Sequence, residues 1–220
     1  MELLEGIKTR KSYRAFKTTP VPEATMRNIL GAAIKSPSAS NTQPWEVAVV
    51  SGKTRDELSK KLTELAKVGT AANRDMPMPA TWPPELDKRL KEHGERRYLA
   101  LGIERGDTQR RQEVNLLNYD FYGAPCALFL FIDKALTSSS LYDMGLFTQT
   151  ILLAAHSFGL GTCLQASVTG YPDAIRDVLG IPNSKLLVIG IAIGYPDMDA
   201  QFNTYQSNRV GMDTFTQWYT

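Results

Sequence analysis

Three groups of residues in this chain have the types and spacing to hold a polar or charged small molecule. Ser36-Pro37-Ser38-Ala39-Ser40-Asn41-Thr42-Gln43-Pro44-Trp45 crowds hydroxyls and amides between two prolines. Such side chains satisfy many polar ligand atoms without adding net charge, and the prolines stiffen the backbone that carries them. Upstream lies Arg10-Lys11-Ser12-Tyr13-Arg14, and the isolated Arg209 stands near the other end. In an extended segment residues 10, 12 and 14 share one face, so one short stretch of chain can follow a ligand along its length. Other chemistries lack their signatures. No Gly-x-Gly-x-x-Gly follows a strand pattern, and there is no P-loop. His93 and His156 stand alone, without His-Glu-x-x-His or paired cysteines, which argues against a metal site. His156 lies in an apolar stretch and reads as a satisfied core histidine. Ser38 lacks a histidine partner in any hydrolase pattern.

The elements that position these residues can be read from periodicity. Leu3, Leu4 and Ile7 suggest a short first helix, and Pro22 opens a second. There Met26, Ile29, Leu30, Ala33 and Ile34 line one face. Val47-Ala48-Val49-Val50 predicts a buried strand stopped by Gly52. Thr54 with Glu57 resembles a capping box, so a helix should follow with Leu58, Leu62 and Leu65 inward. Residues 69–84 contain Pro77, Pro79, Pro83 and Pro84 with little periodicity, and predict a mobile excursion within one domain. The charged run from Glu85 to Arg111 predicts exposed helix. Cys126 to Ile132 is a continuous apolar strand, and Leu186 to Ile193 is the last clear one. Between them a long helix should run from about Ser140 to Ser157, apolar around much of its circumference. A helix apolar on most sides is buried on most sides, so part of it is expected to face a second copy of the chain. Helices and strands mix without regular βαβ alternation, which favours an α+β class.

Composition sets the bounds. The 220 residues suit a single domain over 1–220, and 43% hydrophobic residues supply a core. With 25 Lys+Arg against 23 Asp+Glu, the net charge of +2 gives no support for nucleic acid or a membrane surface as the main partner. The N-terminal residues lack a signal-peptide core, and no apolar run is long enough to span a bilayer. Cys126 and Cys163, each in an apolar setting, read as buried free thiols suited to a reducing cytoplasm.

Four segments, in order and spanning nearly the whole chain, resemble the FMN-dependent nitroreductase family. Arg10-Lys11-Ser12-Tyr13-Arg14-Ala15-Phe16 resembles its opening flavin-binding motif, and Pro37 to Trp45 its serine-rich loop. Gly159-Leu160-Gly161-Thr162-Cys163-Leu164-Gln165-Ala166 resembles its flavin-edge loop, and Asn203-Thr204-Tyr205-Gln206-Ser207-Asn208-Arg209 its C-terminal phosphate segment. The resemblance implies a nitroreductase-like α+β fold with a central, mostly antiparallel sheet. It also implies an obligate homodimer with the long helix at the interface and FMN sites between subunits. The implied activity is ping-pong transfer of electrons from NADH or NADPH through FMN to nitroaromatics, quinones or related small acceptors. Dehalogenation, oxygen-dependent flavin chemistry and non-enzymatic FMN binding are the rival readings.

The resemblance also implies roles. Arg10 and Arg209 are the candidates for the FMN phosphate, since a guanidinium fork holds two oxygens at once. Ser12 either donates its hydroxyl to the phosphate or ribityl chain, or serves as a helix cap or turn. Arg14 would stabilise the charge that reduction places near the flavin pyrimidine edge, its plainer reading being an exposed salt bridge. Lys11 either meets FMN through its backbone or is solvated. Pro37, Ser38 and Asn41 would reach the flavin from the partner subunit, while an Asx-turn is the local alternative for Asn41. Gln165 and Ala166, after a glycine-rich bend, would bring a backbone N–H to the flavin. Gln43 and Trp45 read as structural. Two positions depart from the family pattern: Leu164 stands where many relatives have proline, and Ser207 where some have a phosphate-binding lysine. The second departure leaves Arg10 and Arg209 more of the phosphate charge. No side chain is assigned as acid or base, because the cofactor performs the redox step. The aperiodic segment, with Trp82, is a candidate lid that sets acceptor choice.

Overall fold

The computed structural model describes residues 1–220. Helices α1 (Leu3–Thr9) and α2 (Glu23–Ala33) precede strand β1 (Glu46–Ser51). Helices α3 (Gly52–Lys67), α4 (Pro84–Ala100) and α5 (Thr108–Leu116) follow. Then come β2 (Cys126–Asp133), α6 (Ser138–Ser157), β3 (Gly161–Gln165), α7 (Pro172–Leu179) and β4 (Lys185–Gly194). The strands form one sheet in the order β1-β2-β4-β3, every neighbouring pair antiparallel. The expected α+β class with a central antiparallel sheet is observed. No helix is long and apolar enough to cross a membrane.

Both faces of the sheet are covered. Successive side chains on a strand point to opposite faces. Ala127, Phe129 and Phe131 of β2 therefore pack with Leu58 and Leu62 of α3 and Ile175 of α7. Cys126, Leu128, Leu130 and Ile132 pack on the other side, with Ile29 of α2 and with Met144, Phe147 and Ile151 of α6. A strand covered twice reads as an unbroken apolar run, which is why Cys126 to Ile132 shows no alternation. Each fully buried Leu, Ile or Phe contributes about 1.5–3 kcal/mol. Trp45 stacks on Phe147 at 4.5 Å between ring centroids, as its position ahead of a strand suggested. Cys126 and Cys163 fall in different core clusters, both buried and free. Burial pushes the Cys126 thiol up to about 12.

Five expectations need correction. β1 is an edge strand, so only Val50 is buried and Val49 remains 44% exposed. α3 starts at Gly52, before Thr54, with no side-chain cap bond. Gly52 makes that strand-to-helix turn at φ 54°, a conformation favouring glycine. The charged run is two helices, broken where Gly102 takes φ 64° between the buried Leu101 and Ile103. Gly161 to Gln165, expected within a flavin-edge loop, is a strand, and the glycine bend before it is confined to Gly159 at φ 74°. Residues 69–83 form no helix or strand, Pro84 opening α4, yet the first half of this segment is tied down. Asn73 N donates to the Gly170 carbonyl. Asp75 accepts from Arg176 Nη1 at 2.6 Å and from Leu187 N at 2.7 Å.

Candidate functional site

Residues 10–16 leave α1 extended and lie along β3. Tyr13 N donates to the Thr162 carbonyl at 3.0 Å, and Ser12 forms a parallel bridge with Thr162. Gly161 permits this approach: a Cβ there would sit 2.8 Å from Cδ2 of the Tyr13 ring. On the other side the buried Asn203 clamps the same segment. Its Oδ1 accepts from Arg14 N at 2.7 Å, and its Nδ2 donates to the Ala15 and Asp197 carbonyls at 2.8 and 2.7 Å. Its own carbonyl accepts from Lys11 Nζ at 2.5 Å. One asparagine thus lays the C-terminal segment over the N-terminal one and carries Arg209 to Arg10. Burial, and then the Arg209 charge, lower the Arg10 pKa. Arg209 is exposed, and its Nη1 is held by the Ser207 hydroxyl and by the carbonyls of Ser207 and Asn208.

A second group of polar residues adjoins Arg14. Gln165, at the end of β3, is buried and donates from Nε2 to the Asn118 carbonyl at 2.6 Å. The Tyr122 hydroxyl donates to Asn118 Oδ1 at 2.8 Å. Burial raises the Tyr122 pKa and Cys163 adds to the rise, while Arg14 and Arg97 oppose it. Phe121 and Tyr122 take φ 52° and 56°, a conformation that costs bulky residues energy and is concentrated at functional sites. Nε of Arg14, Nε of Arg97 and Oε1 of Gln165 are buried without a partner. Buried polar groups are normally paired, so this part of the molecule offers unfilled donors and an unfilled acceptor. The pyrimidine edge of a flavin, with carbonyl oxygens and an N–H, supplies the complementary groups.

The serine-rich loop is held elsewhere, on α6. Ser36 Oγ donates to Thr150 Oγ1 at 2.8 Å, and Ala39 N donates to Asp143 Oδ1 at 3.2 Å. The loop closes when Gln43 N donates to Ser38 Oγ at 2.9 Å. Ser40, Asn41 and Gln43 all take positive φ. Pro37 and Asn41 are exposed, and no hydrogen bond from this loop reaches residues 10–14 or 165.

Within one protomer, then, Arg10, Lys11, Ser12, Arg14, Gln165 and Arg209 converge, with Ala166 exposed just beyond β3. Pro37, Ser38 and Asn41 stand apart on α6. Arg14 forms no salt bridge, and the Lys11 ammonium is fastened to Asn203, with its Nζ 5.3 Å from the Tyr13 ring centroid. Sequence reasoning missed Asn203, Asn118, Tyr122 and Arg97. Asn203 was legible as the first residue of the C-terminal motif. Arg97 was hidden in a charged run that reads as solvated surface. His156 is half-buried and meets Thr9 Oγ1 at 2.9 Å, as a satisfied histidine should.

An antiparallel sheet lies between helical layers, and arginines without carboxylate partners gather at its β3 edge. The Nitroreductase family matches residues 7–195, and the chain belongs to that family. It is 39% identical to nitroreductase NfnB of Mycolicibacterium smegmatis over 96% of this chain and 90% of the relative. It is 36% identical to a 4-nitrobenzoate reductase of Pseudomonas putida, over 96% and 93%. The crystal structure of the FMN-dependent nitroreductase NfnB from Mycobacterium smegmatis in complex with NADPH superposes with a TM-score of 0.94. It has 36% identity and complete coverage of both chains.

Proposed function

We propose that this protein is an FMN oxidoreductase that uses NAD(P)H to reduce nitroaromatic, quinone or related acceptors. The observation that carries the reading is the convergence of Arg10, Arg14 and Arg209 beside buried, unfilled hydrogen-bond groups. Family membership and relatives named for nitroaromatic reduction support it. Arg10 and Arg209 would hold the phosphate, with Ser12 on the same face of the extended segment. Arg14, its backbone fixed by Asn203, would face the pyrimidine edge, and Gln165 and Ala166 would flank the ring. FMN, when bound, would supply the redox chemistry that links a nicotinamide donor to the acceptor. The chain's own part is position, positive charge and an apolar slot entered in turn by donor and acceptor.

The site is completed by a second copy of the chain. Supporting this, α6 shows an outward stripe in which Tyr142 is 73% exposed, and α1 beside it exposes Leu3, Leu4 and Ile7. Three further apolar residues, Phe215, Trp218 and Tyr219, stand exposed near the C-terminus. A homodimer would cover such surfaces and bring the Pro37, Ser38 and Asn41 loop of one protomer to the flavin of the other. Buried free thiols suit a reducing, cytoplasmic setting. The test is direct. Purified protein should be yellow, release FMN on denaturation and oxidise NADPH steadily when 4-nitrobenzoate or a quinone is added. A colourless protein that takes up no FMN would refute the reading. A yellow one that oxidises no nicotinamide would reduce it to a flavin binder.

A further inference from the structure

Asp143, Phe147 and Thr150 recur at steps of four and three along α6, which places them on one helical face. Each takes hold of a different part of the serine-rich loop. At the loop's entry Ser36 Oγ donates to Thr150 Oγ1, whose own proton goes to the Leu146 carbonyl at 2.9 Å. At its exit the Trp45 ring lies on Phe147, 6° from parallel. Between them Ala39 N, at the start of the turn Ala39–Asn41, donates to Asp143 Oδ1. The Asp143 side chain is unfavourable where it sits. The residue is 4% exposed, and its Oδ2 is buried with no donor. An apolar side chain at the same place would avoid that desolvation. The turn it holds is strained as well, since Ser40, Asn41 and Gln43 take φ of 51°, 56° and 50°, a conformation that residues other than glycine seldom adopt.

Strain and a half-satisfied carboxylate therefore meet under one loop tip. That tip is unengaged: Ser40 and Asn41 are exposed, and neither side chain forms a hydrogen bond within the protomer. A loop fixed at its base and free at its tip is shaped for a surface outside its own protomer. We propose that Asp143 is a positioning residue for the FMN site of the partner subunit. By fixing the Ala39 N–H it presents Ser38 to Asn41 across the interface, so a side chain buried in one protomer sets cofactor affinity in the other. This rests on the shared-site FMN reading and adds to it a residue that itself touches no cofactor.

In Asp143→Ala the FMN dissociation constant should rise about tenfold, the effect of losing one hydrogen bond to a charged group, while sedimentation still shows a dimer. Asp143→Leu fills the same space without an acceptor and gives the same reading if the alanine protein folds poorly. Asp143→Asn keeps an acceptor for Ala39 N and should bind FMN within about twofold of the parent. Complementation separates a site role from a structural one. Coexpressed Asp143→Ala and Arg209→Ala chains form mixed dimers in which one site joins the intact arginine of one subunit to the intact loop of the other. About a quarter of all sites, the share given by random pairing in a two-fold dimer, should then bind FMN as tightly as the parent. Neither variant alone contains such a site. A mixture that recovers no tight site overturns the proposal. So does an Asp143→Ala dimer with parental FMN affinity, or an Asp143→Asn protein as weak as the alanine one. Loss of the dimer in both Asp143→Ala and Asp143→Leu assigns the residue to assembly and also overturns it. A parent protein that binds no FMN or is monomeric, or an Arg209→Ala protein that binds FMN unchanged, fails instead at the reading beneath.

Discussion

Arg209 lies on an exposed segment, held only by its own neighbours and by the tethering of Asn203. Its contribution should therefore show in ligand binding and not in stability. Arg209→Ala should weaken FMN binding by roughly ten- to a hundredfold, since a charge-assisted hydrogen bond contributes about 1.5–3 kcal/mol. Fluorescence titration of the apoprotein would measure it, and an unchanged dissociation constant would put the phosphate elsewhere. The histidines make a different prediction. Burial and neighbouring arginines lower His93 and His156 from the usual 6.5. A group with a depressed folded pKa binds fewer protons when folded, so stability is retained above about pH 6.5 and lost as pH falls toward the folded values. Urea midpoints should accordingly drop between pH 7.5 and 5.5. The His93→Gln/His156→Gln protein should lose less over the same interval, and an equal loss would assign the acid sensitivity to the carboxylates.

Elements position the site through close approaches that single atoms would spoil. In Gly161→Ala the new Cβ meets the Tyr13 ring at 2.8 Å and its Cγ at 2.9 Å. Such overpacking costs about 1–3 kcal/mol. The displaced Ser12 to Arg14 segment should lower FMN affinity at the same time, and a variant with unchanged FMN affinity would show that the segment does not touch the cofactor. The tie between residues 69–84 and the sheet is ionic. Arg176 and Asp75 are nearly enclosed, their side chains 7% and 11% exposed. Asp75→Ala would leave the guanidinium with only Asp173 and the Lys185 carbonyl. Removing one partner of a buried pair costs about 3–5 kcal/mol. Chemical denaturation should register the loss, and limited proteolysis should begin within 69–84. A variant as stable and as resistant as the parent would show that the tie contributes nothing.

At the scale of the whole molecule, the protomer holds one half of the expected cofactor environment. Arginines from both ends of the chain meet at β3, while the serine-rich loop is fastened to α6 and the outer face of that helix stays bare. Sedimentation should give twice the 24.4 kDa chain mass at micromolar concentration. Tyr142→Glu, on the exposed stripe, should shift the protein toward monomer and weaken FMN binding together, because the two subunits share each site. A monomeric parent protein that still retains FMN would refute the shared site.

Most of this architecture was legible because it is local. Apolar runs announced β2 and β4, one apolar helical face announced α2, apolar residues around most of the circumference announced α6, and four motifs in order announced the cofactor. Errors arose where remote partners decide the outcome. Gly161 to Gln165 becomes a strand because β4 pairs with it, although the segment reads as a loop. Residues 70–76 are fastened by Arg176, a residue a hundred positions away that an aperiodic stretch cannot reveal. Asn203 acquires its importance only when the chain ends meet, and the Arg97 Nε loses its water only when α4 packs near Tyr122. Periodicity and residue type report what a segment does with its own neighbours. Burial, unpaired charge and the meeting of distant guanidiniums exist only after long-range packing has removed water from between them.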